Sequence, residues 1–170
     1  LNASPYHMGK QALRAQVLRE RIAATGLPVV YANLIGGQDE LVFDGGSFAL
    51  DSQGTVCCRL PHFEEALEIV EIADGEPVAS LIAEPMSAEA EVYRALVIGV
   101  RDYLGKNGFP GAIIGLSGGI DSALTLCVAV DALGADKVRA VMMPSPYTAD
   151  ISLADSREMV RLLGVRYDEI

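Results

Sequence analysis

The sequence has no tryptophan, and only 6% of its 170 residues are aromatic. It also lacks a long hydrophobic run, because the apolar stretches at 112–116 and 124–130 are far shorter than the roughly 20 residues of a membrane-spanning helix. A composition of 51% hydrophobic and 21% charged residues is typical of a soluble globular protein. We therefore expect a soluble protein with no membrane partner.

Basic residues are scarce: 13 stand against 23 acidic ones, and the net charge is -10. Such a chain repels phosphate backbones, which argues against nucleic acid as a partner. A small anion remains possible, since backbone N–H groups, helix N-termini and bound magnesium supply local positive potential.

Cysteine is also rare, and Cys57, Cys58 and Cys127 show no metal-ligand spacing. We expect free thiols in a reducing cytoplasm, acting as packing residues rather than nucleophiles. If Cys57 and Cys58 lie on a strand they point to opposite faces, so one is expected to be buried and the other exposed. His7 and His62 are lone histidines, expected on the surface or in loops and given no role.

The chain starts without methionine and stops just after a strand begins, so we expect a piece of a longer protein. Gly75, Pro77 and Pro85 punctuate the stretch 74–85, and Ser87 is suited to cap a new helix. The expected domains are 1–84 and 85–170.

The first of these segments mixes helix and antiparallel strand signals. Leu13, Val17, Leu18 and Ile22 recur at helical spacing, with Arg14 among the charged residues of the other faces. This pattern predicts a helix over 10–25, ended by a glycine at position 26. Short β-rich runs follow at 29–32 and 41–43, and the turn composition of 51–54 predicts a hairpin between 47–50 and 55–59.

The second segment alternates helices and apolar strands. A helix is predicted over 88–106, with Val92, Leu96, Val100 and Leu104 on its apolar face. Continuous apolar strands at 112–116 and 138–142, a third strand at 165–167 and helices at 122–133 and 153–163 then predict a βαβαβ unit. Such a unit forms a parallel sheet with right-handed crossovers.

Between the first apolar strand and its helix lies a glycine-rich loop. Gly118 and Gly119 allow backbone N–H groups to approach a polyphosphate closely, and the helix N-terminus adds positive potential. Ser117 and Ser122 supply hydroxyl donors. Asp121 would repel an anion, unless magnesium bridges its carboxylate to the phosphates.

Other glycine-rich motifs fit poorly, because the loop has neither the lysine of a Walker A loop nor the G-x-G-x-x-G spacing of a dinucleotide fingerprint. A second interpretation is a packing turn capped by Asp121 and Ser122. The loop instead resembles the signature of N-type ATP pyrophosphatases, which split ATP into AMP and pyrophosphate. The implied ATP-binding residues are Gly115, Leu116, Ser117, Gly118, Gly119, Ile120, Asp121 and Ser122.

Both halves resemble glutamine-dependent NAD synthetases. Residues 101–134 and 142–148 resemble the opening of their synthetase domain, and residues 1–10 and 29–48 resemble the late part of the glutaminase domain that precedes it. The fold class implied is α/β. The C-terminal part of a nitrilase-like αββα sandwich is followed by the first βαβαβ units of an adenine nucleotide alpha hydrolase-like, Rossmann-like parallel sheet.

The resemblance implies a ligase that takes ammonia from glutamine and amidates deamido-NAD to NAD after adenylation by ATP, with magnesium as cofactor. Asp121 would be the metal ligand, and Ser4 and Lys10 would hold glutamine. Ser145, Tyr147 and Thr148 match a family loop. The Glu, Lys and Cys triad of such glutaminases would precede Leu1, so we expect no catalytic residue here, an inactive fragment, and a homo-oligomeric parent protein.

Two other functions stay open. One is another adenylating amidotransferase with this loop, such as a GMP synthetase, an asparagine synthetase or a tRNA-modifying enzyme, although their nitrogen-supplying domains are of other types. The other is a noncatalytic nucleotide-binding scaffold, which would also lack the triad.

Overall fold

The computed structural model describes residues 3–170, which form two units, one ending at Ala95 and one comprising Leu96–Ile170. The division falls within a helix. The domain limits 1–84 and 85–170 stay a prediction. None of the helices in this part of the chain is long and apolar enough to cross a membrane.

The first unit begins with one helix and continues as short antiparallel strands. Its elements are α1 (Lys10–Thr25), β1 (Val29–Tyr31), β2 (Ile35–Gln38), β3 (Leu41–Asp44), β4 (Phe48–Leu50), β5 (Val56–Arg59), β6 (Ile72–Ala73) and β7 (Glu76–Pro77). The strands form a three-stranded sheet in the order β1-β4-β5 and the two pairs β2-β3 and β6-β7, all antiparallel.

Helix α1 has the predicted limits. Gly26 ends it in the left-handed region at φ 68°, where its N–H donates to the carbonyl of Ile22 at 2.7 Å. Ile22 packs on Phe48 and Leu50 in the small core of this unit. Leu13 and Val17, predicted on the same apolar face, are instead 54% and 43% exposed.

The predicted hairpin is the pair β4-β5, which contains a bulge at Ala49 and Leu50. Its turn is held by the Asp51 carboxylate, which accepts the backbone N–H groups of Gln53 and Thr55 at 2.9 and 2.8 Å. The expectation that only one of the adjacent cysteines is buried is wrong, since both are buried. Cys58 lines a cavity of about 220 Å³ together with Ala66, Leu67, Glu68 and Val70.

The second segment has the predicted βαβαβ order. Its elements are α2 (Ala88–Lys106), β8 (Ala112–Gly115), α3 (Ile120–Leu133), β9 (Val138–Met142), α4 (Asp150–Leu163) and β10 (Arg166–Glu169), with a short 3-10 turn (Ala135–Lys137) before β9. The three strands form a parallel sheet in the order β10-β9-β8.

Helices α3 and α4 both begin earlier than predicted, at Ile120 and Asp150. For α3 the reason is that Gly119 already has the extended conformation of a cap residue, φ -91° and ψ 158°. For α4 the added residues are Asp150, Ile151 and Ser152, and the one apolar residue among them, Ile151, is 69% exposed and lies off the apolar face that periodicity detects.

The core of the second unit lies between the sheet and these two helices, where Leu126 of α3 and Val160 of α4 join Val138 and Ala140 of β9. Alternate residues therefore point into the core. Strand β8 is apolar at successive positions, yet Ile113 is 71% exposed, so one of its faces is not covered by the residues described.

The apolar face of α2 is also displaced from its predicted position. Ala95 and Ile98 are buried, whereas Leu96 is 47% exposed. Residues at three- and four-residue spacing share a helix face, so the burial follows a stripe beside the predicted one.

Candidate functional site

The glycine-rich loop lies at the carboxyl end of β8. Leu116 extends the strand by one residue, because its N–H donates to the carbonyl of Val141 at 2.8 Å. The chain then turns through Gly118, whose φ is 78°, and enters α3. Ligands of open α/β sheets bind at this edge.

Ser117 and Ser122 hold the loop together. The Ser122 hydroxyl donates to the carbonyl of Gly119 at 2.9 Å and accepts the N–H of Ser117 at 3.2 Å. The two hydroxyl oxygens lie 3.0 Å apart, and the Ser117 hydroxyl accepts the N–H of Gly119 at 3.3 Å. The loop is thus held together by hydrogen bonds between its own residues.

The N-terminus of α3 is not capped by any side chain of residues 3–170. Its first intrahelical bond runs from the N–H of Ala123 to the carbonyl of Gly119 at 3.1 Å, so the N–H groups of Ile120, Asp121 and Ser122 precede the helical ladder. The interpretation in which Asp121 and Ser122 form a cap is therefore wrong. The exposed Asp121 carboxylate stands in this first turn.

Glycine occupies the two central positions of the loop, Gly118 and Gly119, for different physical reasons. A Cβ at Gly118 would lie 2.5 Å from the backbone of Ser152 in α4, and the positive φ already disfavours a side chain. A Cβ at Gly119 would meet only the Ser117 hydroxyl, at 3.4 Å. Packing thus explains Gly118, whereas the folded chain itself leaves room for a side chain at Gly119.

A cavity of about 280 Å³ lies beside the loop, lined by Leu116, Gly118, Gly119, Ile120, Ala123, Asp155, Ser156 and Met159. Ser156 is 1% exposed, and its hydroxyl has no hydrogen-bond partner among the residues described. Sequence analysis missed this serine. The available signal was its position four residues before Val160, on the buried face of α4.

In the loop after β9, Ser145 and Thr148 form a turn of their own. The N–H of Thr148 donates to the carbonyl of Ser145 at 3.0 Å, and the Thr148 hydroxyl accepts the N–H of Ser145 at 2.8 Å. Tyr147 at the tip is 96% exposed.

In the first unit, Ser4 and Lys10 line the same cavity of about 520 Å³. Most of the remaining wall is apolar, formed by Leu13, Val17, Leu18 and other residues of α1 and the preceding segment, together with Tyr31. The structure thus brings together the two residues that the resemblance associates with glutamine, at a site whose wall also contains Arg14 and Tyr31.

Behind this cavity lies a buried ion pair that sequence analysis missed. Both oxygens of Asp44 accept from the guanidinium of Arg14, at 2.7 and 2.8 Å, and the two residues are 2% and 7% exposed. Placing Arg14 on an outer face of α1 is therefore wrong. Its spacing of four and eight residues before Leu18 and Ile22 was the signal for the buried face.

His62 lies in the irregular segment after β5, which fits the expectation of a surface or loop residue, but its side chain is only 9% exposed. Its Nδ1 lies 3.5 Å from the nearer carboxylate oxygen of Asp44, and its ring fills the space in front of Gly46. Burial alone would raise the pKa of Asp44, but the neighbouring His62 and the hydrogen bonds and charge of Arg14 together lower it.

The cysteines do not have the features of nucleophiles. Burial raises the pKa of the Cys57 and Cys127 thiols, which disfavours the reactive thiolate. No group of three His, Cys, Asp or Glu residues suited to a metal ion occurs between residues 3 and 170. A magnesium ion at Asp121 would thus need ligands from a bound phosphate, which is how this ion usually binds.

Comparison with known proteins agrees with both halves. Residues 2–82 match the carbon-nitrogen hydrolase family and residues 92–170 match the NAD synthase family. The chain is 49% identical over 174 residues to the glutamine-dependent NAD(+) synthetase of Rhodobacter capsulatus and 47% identical over 169 residues to that of Acinetobacter baylyi. The chain is thus similar to glutamine-dependent NAD synthetases along nearly its whole length. It covers 99% and 98% of its own length in these two alignments but only 31% of each relative.

A solved structure agrees closely as well. The glutamine-dependent NAD+ synthetase of Acinetobacter baumannii, in complex with ADP, aligns with a TM-score of 0.95 at 46% identity over 99% of this chain and 32% of that one. The enzyme of Cytophaga hutchinsonii, at 18% identity over 99% of this chain and 34% of that one, has a TM-score of 0.79 and shows the fold alone. The predicted fold class, a nitrilase-like segment followed by a parallel α/β sheet, is confirmed.

We expect the loop glycines to differ in their effect on stability. Gly118→Ala should lower the free energy of unfolding by about 1–3 kcal/mol, because it combines backbone strain with the clash on Ser152. Gly119→Ala should change it by less than about 0.5 kcal/mol. Urea denaturation of the purified chain measures both, and equal losses would contradict the distinction.

The lowered pKa of Asp44 predicts a pH dependence. Its ion pair contributes stability that is full above the unfolded carboxyl pKa of about 4 and is lost as the pH falls through the lower folded-state pKa. Asp44→Asn should therefore be about 3–5 kcal/mol less stable than the wild type at pH 7, with the gap closing below about pH 4.

Urea denaturation across this pH range measures the gap. Glu64→Gln, at an exposed position of the same unit, serves as control and should stay within about 0.5 kcal/mol of the wild type. A gap for Asp44→Asn that stays constant down to pH 2 would exclude the ion pair as its cause.

Proposed function

We propose that this chain is part of an ATP-dependent ligase that amidates deamido-NAD to NAD with ammonia from glutamine. The observation that carries the proposal is the order of two segments in one chain: a carbon-nitrogen hydrolase segment with the Ser4 and Lys10 cavity precedes an NAD synthase segment with the glycine-rich loop. One segment suits release of ammonia from an amide, and the other suits its use.

The nucleotide is proposed to bind with its phosphates over the loop, in contact with residues 115–122. Three features support this placement: the N–H groups of Ile120, Asp121 and Ser122 stand free of the helical ladder, the helix dipole adds positive potential, and Gly119 presents no side chain. The hydroxyls of Ser117 and Ser122, now bonded to the loop itself, can rotate toward phosphate oxygens. The related enzyme from Acinetobacter baumannii was solved with ADP.

The Asp121 carboxylate is exposed in the first turn of α3, beside these N–H groups. One carboxylate next to a phosphate site is a donor set that magnesium accepts. When bound, the ion would neutralise the charge that develops on the departing pyrophosphate. Asp121 would hold it at the loop and orient it there.

The proposed chemistry explains why ATP is needed. A carboxylate is a poor acyl donor, so an oxygen of the deamido-NAD carboxylate attacks the α-phosphorus of ATP and pyrophosphate leaves. Ammonia then attacks the adenylated carbonyl carbon, AMP leaves, and loss of a proton yields the amide. The loop residues would stabilise the negative charge of the first leaving group.

At the other cavity, glutamine is proposed to meet Lys10 through its α-carboxylate and Ser4 through a hydrogen bond. Apart from Tyr31 and Arg14, whose charge is paired with Asp44, the rest of the wall is apolar, so the cation of Lys10 and the hydroxyl of Ser4 suit an amino acid of this kind. The Glu, Lys and Cys residues that would cleave the amide are proposed to lie outside this chain, so the residues proposed here bind and orient and do not catalyse.

We further propose domain limits of 1–84 and 85–170, a cytoplasmic location, a homo-oligomeric parent and small-molecule rather than nucleic-acid partners. The excess of 23 acidic over 13 basic residues supports the last point. The nitrilase-like first segment disfavours a GMP or asparagine synthetase.

Calorimetric titration of the purified chain with ATP and magnesium tests the loop. We expect magnesium-dependent binding that Asp121→Ala weakens at least about tenfold, which corresponds to about 1.4 kcal/mol. Asp131→Ala, at the C-terminal end of the same helix, is the matched control and should bind like the wild type. Equal binding by wild type and Asp121→Ala would exclude Asp121 as the metal ligand.

The reaction itself is tested on the full-length protein that contains this chain. With deamido-NAD, ATP, magnesium and glutamine, we expect NAD, AMP, pyrophosphate and glutamate in equal amounts. Production of AMP and pyrophosphate only with another acceptor would favour a different amidotransferase. Nucleotide binding without turnover of any acceptor would favour the scaffold.

A further inference from the structure

We propose that Arg14, paired with Asp44, is a positioning residue that fixes Ser4 at the wall of the 520 Å³ cavity for recognition of glutamine. The inference rests on the proposed function, because it assigns a role within the glutamine site. Neither Arg14 nor Asp44 belongs to the residues that the resemblance associates with glutamine.

Ser4 lies outside regular secondary structure, yet side chains hold it on several sides. The N–H of Ser4 donates to the Asn33 side-chain oxygen at 3.0 Å. Its carbonyl accepts from Arg14 Nη2 at 2.9 Å and from Asn33 Nδ2 at 3.2 Å. Its hydroxyl oxygen accepts from Arg14 Nε at 3.2 Å. Backbone and side chain are therefore fixed together.

The bond to the hydroxyl determines what Ser4 can offer a ligand. A guanidinium has donors only, so the Ser4 oxygen must act as acceptor toward Arg14. The hydroxyl proton is then left to point elsewhere and to donate to an oxygen of the ligand. A donor polarised by an adjacent cation makes a stronger hydrogen bond in a partly buried site.

The charge of Arg14 itself is not available to the ligand. Both Asp44 oxygens accept from it, and Asn33 Nδ2 adds a further contact to Asp44 at 3.3 Å. Lys10 has no ion-pair partner in the described part of the chain, so its charge remains free. Arg14 thus orients, whereas Lys10 binds the carboxylate.

Only an arginine fits this geometry. Its planar fork reaches the Asp44 carboxylate with two nitrogens while Nε and Nη2 reach Ser4. A lysine has one nitrogen and can replace the ion pair but not the bonds to Ser4. Arg14→Lys therefore separates the positioning role from charge compensation.

The test uses the full-length enzyme with two nitrogen sources, because ammonia bypasses the glutamine site. Arg14→Lys and Ser4→Ala should each raise the KM for glutamine at least about tenfold, or about 1.4 kcal/mol. Each should leave ammonia-dependent kcat within about twofold of the wild type. Arg21→Lys, an exposed position on the same helix, is the control and should change neither quantity.

A double-mutant cycle distinguishes positioning from a merely structural role. If Arg14 acts through Ser4, adding Arg14→Lys to Ser4→Ala raises the KM for glutamine no further. The inference would be overturned if the two substitutions multiply in their effect on the KM for glutamine. A KM for Arg14→Lys within about twofold of the wild type would also overturn it. If Arg14→Lys does not fold, Asn33→Ala removes two bonds to Ser4 and one to Asp44, keeps both Arg14–Asp44 hydrogen bonds, and must show the same non-additivity.

Failure of the proposed function would appear differently. A wild-type enzyme that forms NAD from ammonia but not from glutamine would contradict the glutamine site itself. A wild type that uses glutamine, combined with an unchanged Arg14→Lys, would contradict the positioning role alone.

Discussion

A buried ion pair between Arg14 and Asp44 is the interaction on which the first unit depends. It joins helix α1 to the end of strand β3, and the same guanidinium holds the segment around Ser4. Breaking a buried pair by removing one partner costs about 3–5 kcal/mol, a large part of the 5–15 kcal/mol that stabilise a typical domain. The pair is supported by further hydrogen bonds, including those that the Asn33 amide donates to Asp44 and to the carbonyl of Gly45.

In the second unit, too, polar groups need hydrogen-bond partners, but here they are backbone groups at the end of the parallel sheet. Parallel strands end at one edge, and the chain must leave that edge through a loop whose backbone groups lose their sheet partners. Ser117 and Ser122 satisfy part of this need from within the loop, and Gly118 allows the close approach to α4. The N–H groups at the start of α3 are left for solvent or an anion.

Periodicity explains which parts of the fold were predictable. Helix α1, the β4-β5 hairpin and the βαβαβ order follow from apolar spacing and from turn residues, which act locally. The loop was identified by its letters and its position between a strand and a helix. The sequence did not show, however, that glycine is needed at Gly118 and Gly119 for different reasons. That difference depends on the packing of Ser152 against Gly118.

The errors share one physical origin: burial of polar groups depends on partners that are distant in sequence. Arg14 was placed on a solvated face because its partner Asp44 lies 30 residues away. His62 was expected as a surface or loop residue, and although it lies outside helices and strands, Asp44 and Gly46 lie against its side chain and leave only 9% of it exposed. Ser156 is a polar residue on a buried helix face, which a binary apolar pattern does not detect.

The two candidate sites also differ in whether their polar groups are fixed before a ligand binds. At Ser4 the backbone groups and the hydroxyl oxygen are already paired with Arg14 and Asn33, so folding itself fixes the hydroxyl and leaves its proton for a ligand. At the loop, the serine hydroxyls bond to each other and to the backbone, and the helix N-terminus has no side-chain cap within residues 3–170. An anion there would exchange internal hydrogen bonds for external ones. A zwitterion has no net charge and is attracted only weakly from a distance, so its recognition gains from a rigid site. A polyphosphate carries enough charge to reorganise a short loop on arrival.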